Sequence, residues 1–121
     1  MNTLSHPNLN DIKEAYHWNS DIFLLMELVQ GVTLEAYVKR KGGSLPEYDT
    51  AKIVKQILLG LKYMHSKKWI HRDLKPSNIM IAGTDPRSFQ IKIIDFGICN
   101  QLAPGVDAKS SACTKPFAAP D

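Results

Sequence analysis

A helix-forming pattern in the middle of the chain is the sequence feature that most limits the possible folds. Apolar residues recur there at steps of three and four positions, a spacing that places them on one side of a helix. They are Ile53, Val54, Ile57, Leu58, Leu61 and Met64. Pro46 suits a first helical turn, and the acidic residues Glu47 and Asp49 favour the positive end of a helix dipole. We therefore predict a long helix from about Pro46 to His65, whose apolar side packs against other elements.

Short apolar segments on both sides of this helix predict two hairpins. Residues Ile12 to Trp18 and Ile22 to Met26 are separated by an Asn-Ser-Asp triplet, which favours a turn. Residues Ile79 to Ala82 and Ile91 to Ile94 flank a segment that begins Gly-Thr-Asp-Pro, another turn-forming sequence. Each pair is expected to form an antiparallel hairpin.

Single glycine and proline residues mark other boundaries. Gly31 is expected to end the first extended run. Leu4 to Asn8 is expected to be a helix terminus turning into a loop, because Pro7 disfavours helix at the residue before it. Gly60 lies inside the predicted helix, where glycine costs about 1 kcal/mol relative to alanine. We therefore expect a close packing neighbour at Gly60.

Length and composition fit one globular domain without a membrane span. The chain has 121 residues, of which 44% are hydrophobic and 22% charged, as in ordinary globular proteins. The longest apolar run, Ile22 to Met26, has five residues, far short of the roughly 20 that cross a bilayer. The N-terminal sequence has neither the basic start nor the apolar stretch of a signal peptide. We expect a cytoplasmic or nuclear protein.

Charge and cysteine content argue against two other classes of site. The net charge is +3, with basic clusters at residues 39–41 and 67–68, but short runs of this kind are more typical of solvated turns than of nucleic-acid surfaces. Cys99 and Cys113 form no CxxC motif and have no histidine at ligand spacing. We therefore expect no nucleic-acid partner, no zinc site and no disulfide framework.

Polar residues are concentrated between the long helix and the second hairpin. The sequence HRDLKPSN occupies positions 71–78, and DFG follows the second hairpin at positions 95–97. Each of these polar residues taken alone is more typical of a turn or a cap. Together they provide a carboxylate that accepts a hydroxyl proton, a lysine that neutralises phosphate, and an amide and a second carboxylate for Mg²⁺. This combination indicates phosphoryl transfer.

These motifs resemble those of the eukaryotic protein kinases. HRDLKPSN resembles their catalytic loop, and Asp95-Phe96-Gly97 resembles their metal-binding motif. Ala119-Pro120-Asp121 resembles the motif that closes the activation segment, with aspartate in place of glutamate. Thr114 falls where the family has a threonine that supports the catalytic aspartate, although Cys113 replaces the usual preceding glycine. The chain is identified as a member of this superfamily, and the lysine two positions after the catalytic aspartate is similar to the serine/threonine type.

The resemblance implies roles for the polar residues. Asp73 would orient the substrate hydroxyl, Lys75 would stabilise the moving phosphoryl group, and Asn78 and Asp95 would hold Mg²⁺. Arg72 would pair with a phosphate on the activation segment, for which Ser110 and Ser111 are candidate acceptors and Thr114 a further regulatory residue.

The resemblance also implies a nucleotide site for ATP. Residues 26–29, Met-Glu-Leu-Val, look like the gatekeeper and hinge of the family, where the backbone groups of Glu27 and Val29 would hold adenine. Thr33, Met80 and Asp95 complete the implied nucleotide contacts. The implied partner is a protein substrate that carries serine or threonine, and the oligomeric state is left open.

The implied fold is an α+β, protein-kinase-like fold that is present in part. Residues 1–29 would supply small-lobe strands and the hinge, and residues 30–121 part of the large lobe with the catalytic loop and activation segment. Neither a GxGxxG loop nor a VAIK-like lysine occurs upstream. We therefore expect a serine/threonine kinase domain truncated at both ends and inactive as an isolated chain. The alternative is a non-catalytic, kinase-like binding module.

Overall fold

The computed structural model describes residues 4–83, 90–101 and 114–117. Within these ranges the strands are β1 (Ile12–Trp18), β2 (Asp21–Met26), β3 (Gly31–Thr33), β4 (Trp69–Ile70), β5 (Ile79–Ala82), β6 (Gln90–Ile93) and β7 (Asn100–Gln101). The helices are α1 (Leu34–Arg40) and α2 (Glu47–Ser66), with short 3-10 turns at Pro76–Asn78 and Lys115–Phe117. The long helix predicted from about Pro46 to His65 is confirmed as α2.

The strands form three small antiparallel sheets. Strand β1 pairs with β2, β5 lies between β3 and β6, and β4 pairs with β7. Both predicted hairpins are confirmed, because Trp18 lies opposite Asp21 in the first and Ile79 lies opposite Ile93 in the second. The architecture is therefore α+β.

The core lies between α2 and the sheet of β3, β5 and β6. Side chains alternate between the two faces of a strand, so every second residue of β5 and β6 points towards the helix. The buried hydrophobic residues of this core are Leu9, Ile53, Met64, Ile79, Ile81, Ile91 and Ile93. The apolar stripe of α2 is only partly covered in the part of the chain that the structure describes, since Val54 and Leu58 remain exposed.

The loop before β1 is fixed against both β6 and α2. The amide of Asn10 donates to the carbonyl of Ile93, and the amide of Ile93 donates to the carbonyl of Asn8, both at 2.9 Å. A Cβ atom on Gly60 would lie 3.2 Å from the Asn8 carbonyl oxygen and 3.3 Å from the Leu9 side chain. The close neighbour predicted at Gly60 is therefore confirmed.

One boundary prediction was wrong, the one for Gly31. Gly31 does not end the extended run but begins β3, where a Cβ atom would overlap the carbonyl oxygen of Ile81 on β5. The glycine is needed for this close strand approach. The loop predicted at residues 4–8 is present and contains a turn in which the amide of Leu9 donates to His6, whereas the helix expected before it would fall on residues 1–3, outside the described ranges.

Three short elements, β3, α1 and the β4–β7 pair, were not predicted because they contain few residues and little periodicity. Helix α1 has seven residues and begins after Thr33, whose hydroxyl accepts the amide of Ala36 at 3.2 Å and caps the helix. Strands β4 and β7 have two residues each and are defined only by their pairing. Among the helices of the described ranges, none has the length and apolarity required to cross a membrane.

We predict that Gly60→Ala destabilises the folded protein. Alanine improves helix propensity by about 1 kcal/mol, but its Cβ atom would lie 3.2 Å from both the Ile93 side chain and the Asn8 carbonyl oxygen, whose hydrogen bond to Ile93 opposes its displacement. Overpacking of this kind typically costs 1–3 kcal/mol, so we expect a net loss of about 1 kcal/mol. Urea unfolding of the full-length native protein would measure it. The exposed Lys55→Ala serves as a control with a change below about 0.5 kcal/mol, and a gain for Gly60→Ala would contradict the prediction.

Candidate active site

His71 connects the two polar motifs. Its side chain is 3% exposed, its Nε2 atom lies 3.1 Å from the carbonyl oxygen of Ile94, and its Nδ1 atom accepts the amide of Asp73 at 3.3 Å. A backbone amide can only donate, so the ring proton lies on Nε2 and is donated to Ile94. Burial lowers the pKa of His71, which keeps this neutral form. The catalytic-loop segment is thereby tied to the residue before Asp95.

Four polar side chains form one connected group around the carboxylate of Asp73. The Asn78 amide donates to the backbone carbonyl of Asp73 at 2.9 Å and to its Oδ2 atom at 3.0 Å. Lys75 Nζ lies 2.8 Å from the same Oδ2 atom and donates to Thr114 Oγ1 at 2.9 Å. The hydroxyl of Thr114 donates to the other carboxylate oxygen of Asp73. Both oxygens of Asp73 are thus held by donors from three residues.

These donors determine the protonation state of Asp73. Hydrogen bonds from Lys75 and then from Thr114 are the main causes that lower the pKa of Asp73 to about 2. Because folding depresses this pKa, the stabilisation is present above the ordinary value of 3.8 and is lost as the pH falls towards about 2. Asp73 is therefore an anionic hydrogen-bond acceptor throughout the physiological range.

Asp95 follows β6 at a position adjacent to Asn78. The amide of Ile94 donates to the backbone carbonyl of Asn78 at 2.9 Å, which places Asn78 beside the residue preceding Asp95. The Asn78 side chain is buried, whereas Asp95 is exposed and accepts the amide of Gly97 at 3.2 Å. Asn78 uses its amide nitrogen on Asp73, so its oxygen is the atom suited to a cation. An amide oxygen and a carboxylate match the oxygen ligands that Mg²⁺ requires.

Several contacts fix the segment around Asp95. Phe96 packs edge-on against the His71 ring at 5.6 Å between centroids, and Arg72 Nε donates to the carbonyl of Ile98 at 2.6 Å. Arg72 and Asp95 both have left-handed backbone conformations, with φ values of 67° and 61°. Such conformations cost non-glycine residues free energy and persist where neighbouring contacts impose them. The site thus contains two strained residues held by hydrogen bonds and packing.

Cys99 lies behind the catalytic loop. Its Sγ atom is 3.7 Å from the carbonyl oxygen of His71, and it is a free cysteine. Burial raises the pKa of the Cys99 thiol to about 11.

Of the residues predicted for nucleotide binding, Thr33 and Met80 lie on one face of the three-stranded sheet, Glu27 and Val29 lie in the segment after β2, and Asp95 follows β6. Thr33 lies opposite Met80, and Met80 lies opposite Lys92, so the three form a row across β3, β5 and β6. Glu27 forms an ion pair with Lys92 at 2.8 Å. Val29, two residues further along, is partly buried. The structure therefore gathers Glu27, Thr33 and Met80 around Lys92, which sequence analysis did not select.

Sequence analysis also missed a buried polar group behind the site. The Asn8 side chain donates to the carbonyl of Ile91 at 3.0 Å and to Gln56 Oε1 at 3.1 Å, and the Gln56 oxygen also accepts the Ile91 amide. The polar residues at positions 8 and 56 carried no motif signal. The alternation of β6 could have indicated Lys92, because it lies between two core isoleucines and must face away from the core.

Some predicted residues lie outside the described ranges. These are Ser110, Ser111, Cys113 and the Ala119-Pro120-Asp121 motif. Within the described ranges, no group of three or more His, Cys, Asp or Glu residues forms a metal cluster. The candidate Mg²⁺ ligands include an asparagine, and only one of them, Asp95, is a carboxylate.

The arrangement of an anionic aspartate, a lysine, an asparagine and a second aspartate is the side-chain set of a phosphoryl-transfer site. The family model described as the protein kinase domain matches residues 1–121. The chain therefore belongs to the protein kinase domain family.

Individual relatives agree with this assignment. The chain is 39% identical over 116 residues to death-associated protein kinase 2 of Mus musculus, covering 96% of the chain and 31% of that protein. It is 39% identical over 121 residues to myosin light chain kinase family member 4 of Homo sapiens, covering 100% of the chain and 31% of the relative. It is 40% identical over 121 residues to calcium-dependent protein kinase 5 of Plasmodium berghei (strain Anka), covering 100% and 21%. The chain thus spans less than a third of the length of these relatives.

We predict that Thr114→Val raises the pKa of Asp73. Valine has nearly the same shape as threonine but cannot donate a hydrogen bond, so one of the contacts that favour the charged carboxylate is lost. The pKa should move from about 2 towards 3.8. An NMR titration of the Asp73 carboxyl carbon would measure the change. Thr50→Val, which removes an exposed hydroxyl bonded to the Pro46 carbonyl, should leave Asp73 unaffected, and an unchanged pKa in Thr114→Val would contradict the assigned contact.

Proposed function

We propose that this chain forms the catalytic part of a serine/threonine protein kinase, which transfers the γ-phosphoryl group of ATP to a hydroxyl of a protein substrate. The observation that carries the proposal is the hydrogen-bonded group of Asp73, Lys75, Asn78 and Thr114. Each member supplies a function that phosphoryl transfer requires, and the contacts hold the members in one place.

Asp73 orients the substrate hydroxyl. Its low pKa makes the carboxylate a weak base but a permanent acceptor, so it aligns the oxygen for attack and receives the proton only late in the reaction. The substrate oxygen forms a bond to the γ-phosphorus while the bond to the leaving ADP oxygen breaks. Positioning of this kind is the main contribution that protein groups make to phosphoryl transfer.

Lys75, together with a metal ion held by Asn78 and Asp95, would neutralise the negative charge of the phosphate groups. Lys75 contacts Asp73 and Thr114, and its ammonium group would neutralise the transferring phosphoryl group. Asn78 and Asp95 would hold Mg²⁺ through oxygen atoms. The metal ion would supply charge neutralisation for the phosphate oxygens of the nucleotide.

The nucleotide occupies the face that carries Thr33 and Met80. Backbone groups of Glu27 and Val29 bind the adenine edge, while Met80 on β5 supplies an apolar surface beneath the ring. The pairing of Thr33 with Met80 supports this part of the proposal. The division into a small-lobe part at residues 1–29 and a large-lobe part at residues 30–121 belongs to the same proposal.

The proposal also covers the acceptor residue, the cellular location and the alternative function. The lysine two positions after the catalytic aspartate favours serine and threonine as acceptors, and we assign a cytoplasmic or nuclear location, where a free thiol such as Cys99 stays reduced. A non-catalytic binding module is less favoured, since both carboxylates and their supporting contacts are present. The specific protein substrate is not part of the proposal.

We predict that Asp73→Asn abolishes phosphoryl transfer. The amide cannot act as an anionic acceptor for the substrate hydroxyl, and loss of such a group typically costs 100- to 10,000-fold, about the range expected here. Asp95→Asn should have a comparable effect by weakening the metal site. Transfer of labelled phosphate from ATP to a basic protein, catalysed by the full-length native protein, would measure both effects.

Asp21→Asn, at the exposed β1–β2 turn, is the matched control and should retain activity. Residues 1–121 alone should give no detectable transfer, because this sequence supplies no VAIK-type lysine for the α- and β-phosphates. Undiminished transfer by Asp73→Asn would overturn the catalytic assignment.

We also propose that Ser110 and Ser111 are phosphorylated and that Arg72 binds the resulting phosphate. Arg72 is held near the metal motif by its bond to Ile98, and a guanidinium can pair with phosphate oxygens. Replacing both serines with alanine should lower the transfer rate of the full-length protein, and Arg72→Gln should remove the difference between phosphorylated and dephosphorylated protein. Phosphate mapping by mass spectrometry with rate measurements would test this, and equal rates before and after phosphatase treatment would contradict it.

A further inference from the structure

Lys92 on β6 lies where three separate segments of the chain meet. We propose that Lys92 is a positioning residue that fixes the backbone after β2 by binding the side chain of Glu27, and that it thereby sets the affinity for the adenine nucleotide. This inference rests on the proposed function, because it concerns the same nucleotide site. Lys92 touches no reacting atom.

The contacts of Lys92 are directed and partly buried. Its Nζ atom lies 2.8 Å from Glu27 Oε2 and 3.4 Å from the carbonyl oxygen of Leu9. The Lys92 side chain is 13% exposed and that of Glu27 is 35% exposed. An ion pair removed from water to this extent is screened less by solvent and salt than a surface pair.

Other ion pairs in the described ranges act locally. Lys13 pairs with Asp11, and Lys75 pairs with Asp73, so each joins residues two positions apart. The pair of Lys92 and Glu27 instead joins residues 65 positions apart. It connects the segment after β2 to the sheet that carries the core.

The hairpin of β1 and β2 depends on such links. Its large apolar residues are exposed, including Tyr16, Ile22 and Leu25, so side-chain packing within the described ranges holds it weakly. The links at its ends include the pairing of residues 8 and 10 with Ile93, the bond from the Glu27 amide to the Asp11 carbonyl, the contact of the Asn10 side chain with the Met26 sulfur, and the ion pair of Lys92. The Glu27 backbone is therefore held by Asp11, the residue before β1, while its side chain is held by Lys92 of β6.

Lys92 also lies next to the proposed nucleotide surface. It is the cross-strand partner of Met80, which is the partner of Thr33. The ion pair therefore fixes the distance between the surface beneath the adenine ring and the backbone that contacts its edge. Removing the charge of Lys92 should loosen one side of the site while leaving Asp73, Lys75 and Asn78 in place.

Lys92→Met tests the proposal in the full-length native protein. Methionine keeps most of the length and apolar volume of lysine but removes the charge. We expect the KM for ATP to rise about fivefold or more, a typical lower limit for coupling between a remote contact and a ligand, with little change in kcat. Hydrogen exchange at the Glu27 amide should become faster. Lys92→Arg, which retains the charge, should recover most of the affinity.

Lys62→Met is the matched control, because it makes the same exchange at an exposed lysine of α2 and should change neither the KM nor the exchange rate. If Lys92→Met unfolds the protein, the exchanged pair Glu27→Lys with Lys92→Glu restores opposite charges. Recovery of slow exchange in that double variant would then support the proposal, and its absence would overturn it.

The remaining outcomes separate this inference from the proposed function. A wild-type protein that binds no ATP would overturn the proposed function and the affinity effect, whereas faster Glu27 exchange in Lys92→Met would still support the structural link. A wild-type protein that binds ATP, together with unchanged KM and exchange in Lys92→Met, would overturn only the role of Lys92. Faster exchange with unchanged KM would also overturn that role.

Discussion

The peptide groups of Ile94 are the point on which the site depends. The amide of Ile94 donates to the carbonyl of Asn78, and its carbonyl accepts the proton of His71. One residue at the end of a buried strand therefore positions both ends of the catalytic-loop motif. Since Asp95 is the next residue in the chain, the carboxylate proposed as a metal ligand is placed by the same two hydrogen bonds. Backbone hydrogen bonds thus position these polar residues independently of the contacts between their side chains.

The support behind this junction is also polar. Asn8 and Gln56 satisfy backbone groups of Ile91 in a region where an unpaired donor or acceptor would be costly. The loop before β1, helix α2 and strand β6 meet there, and Gly60 allows the loop to approach the helix closely. Apolar packing brings these elements together, whereas the hydrogen bonds determine their register. A site that relies on distances of about 3 Å requires such a support.

The sequence was most informative where a pattern extended over many residues or where chemistry was concentrated. The stripe from Ile53 to Met64 predicted α2, and short apolar runs separated by turn-forming residues predicted both hairpins. Strand β3 was missed because a three-residue strand has no measurable period, and Gly31 signals a chain break as readily as a close strand contact. The polar set at residues 71–78 could be recognised from its residue types. The role of Lys92 could not, because it depends on which distant carboxylate the fold brings near.

The position of Cys99 has a consequence for covalent chemistry. The thiol lies four residues after Asp95 and contacts the backbone of His71, but burial raises its pKa to about 11. The neutral thiol is therefore the favoured form at neutral pH, whereas the thiolate is the form that reacts with electrophiles and peroxides. A cysteine beside the metal motif is therefore protected from alkylation and oxidation by the packing that holds the motif in place. Loosening of this segment would be signalled by a thiol that begins to react.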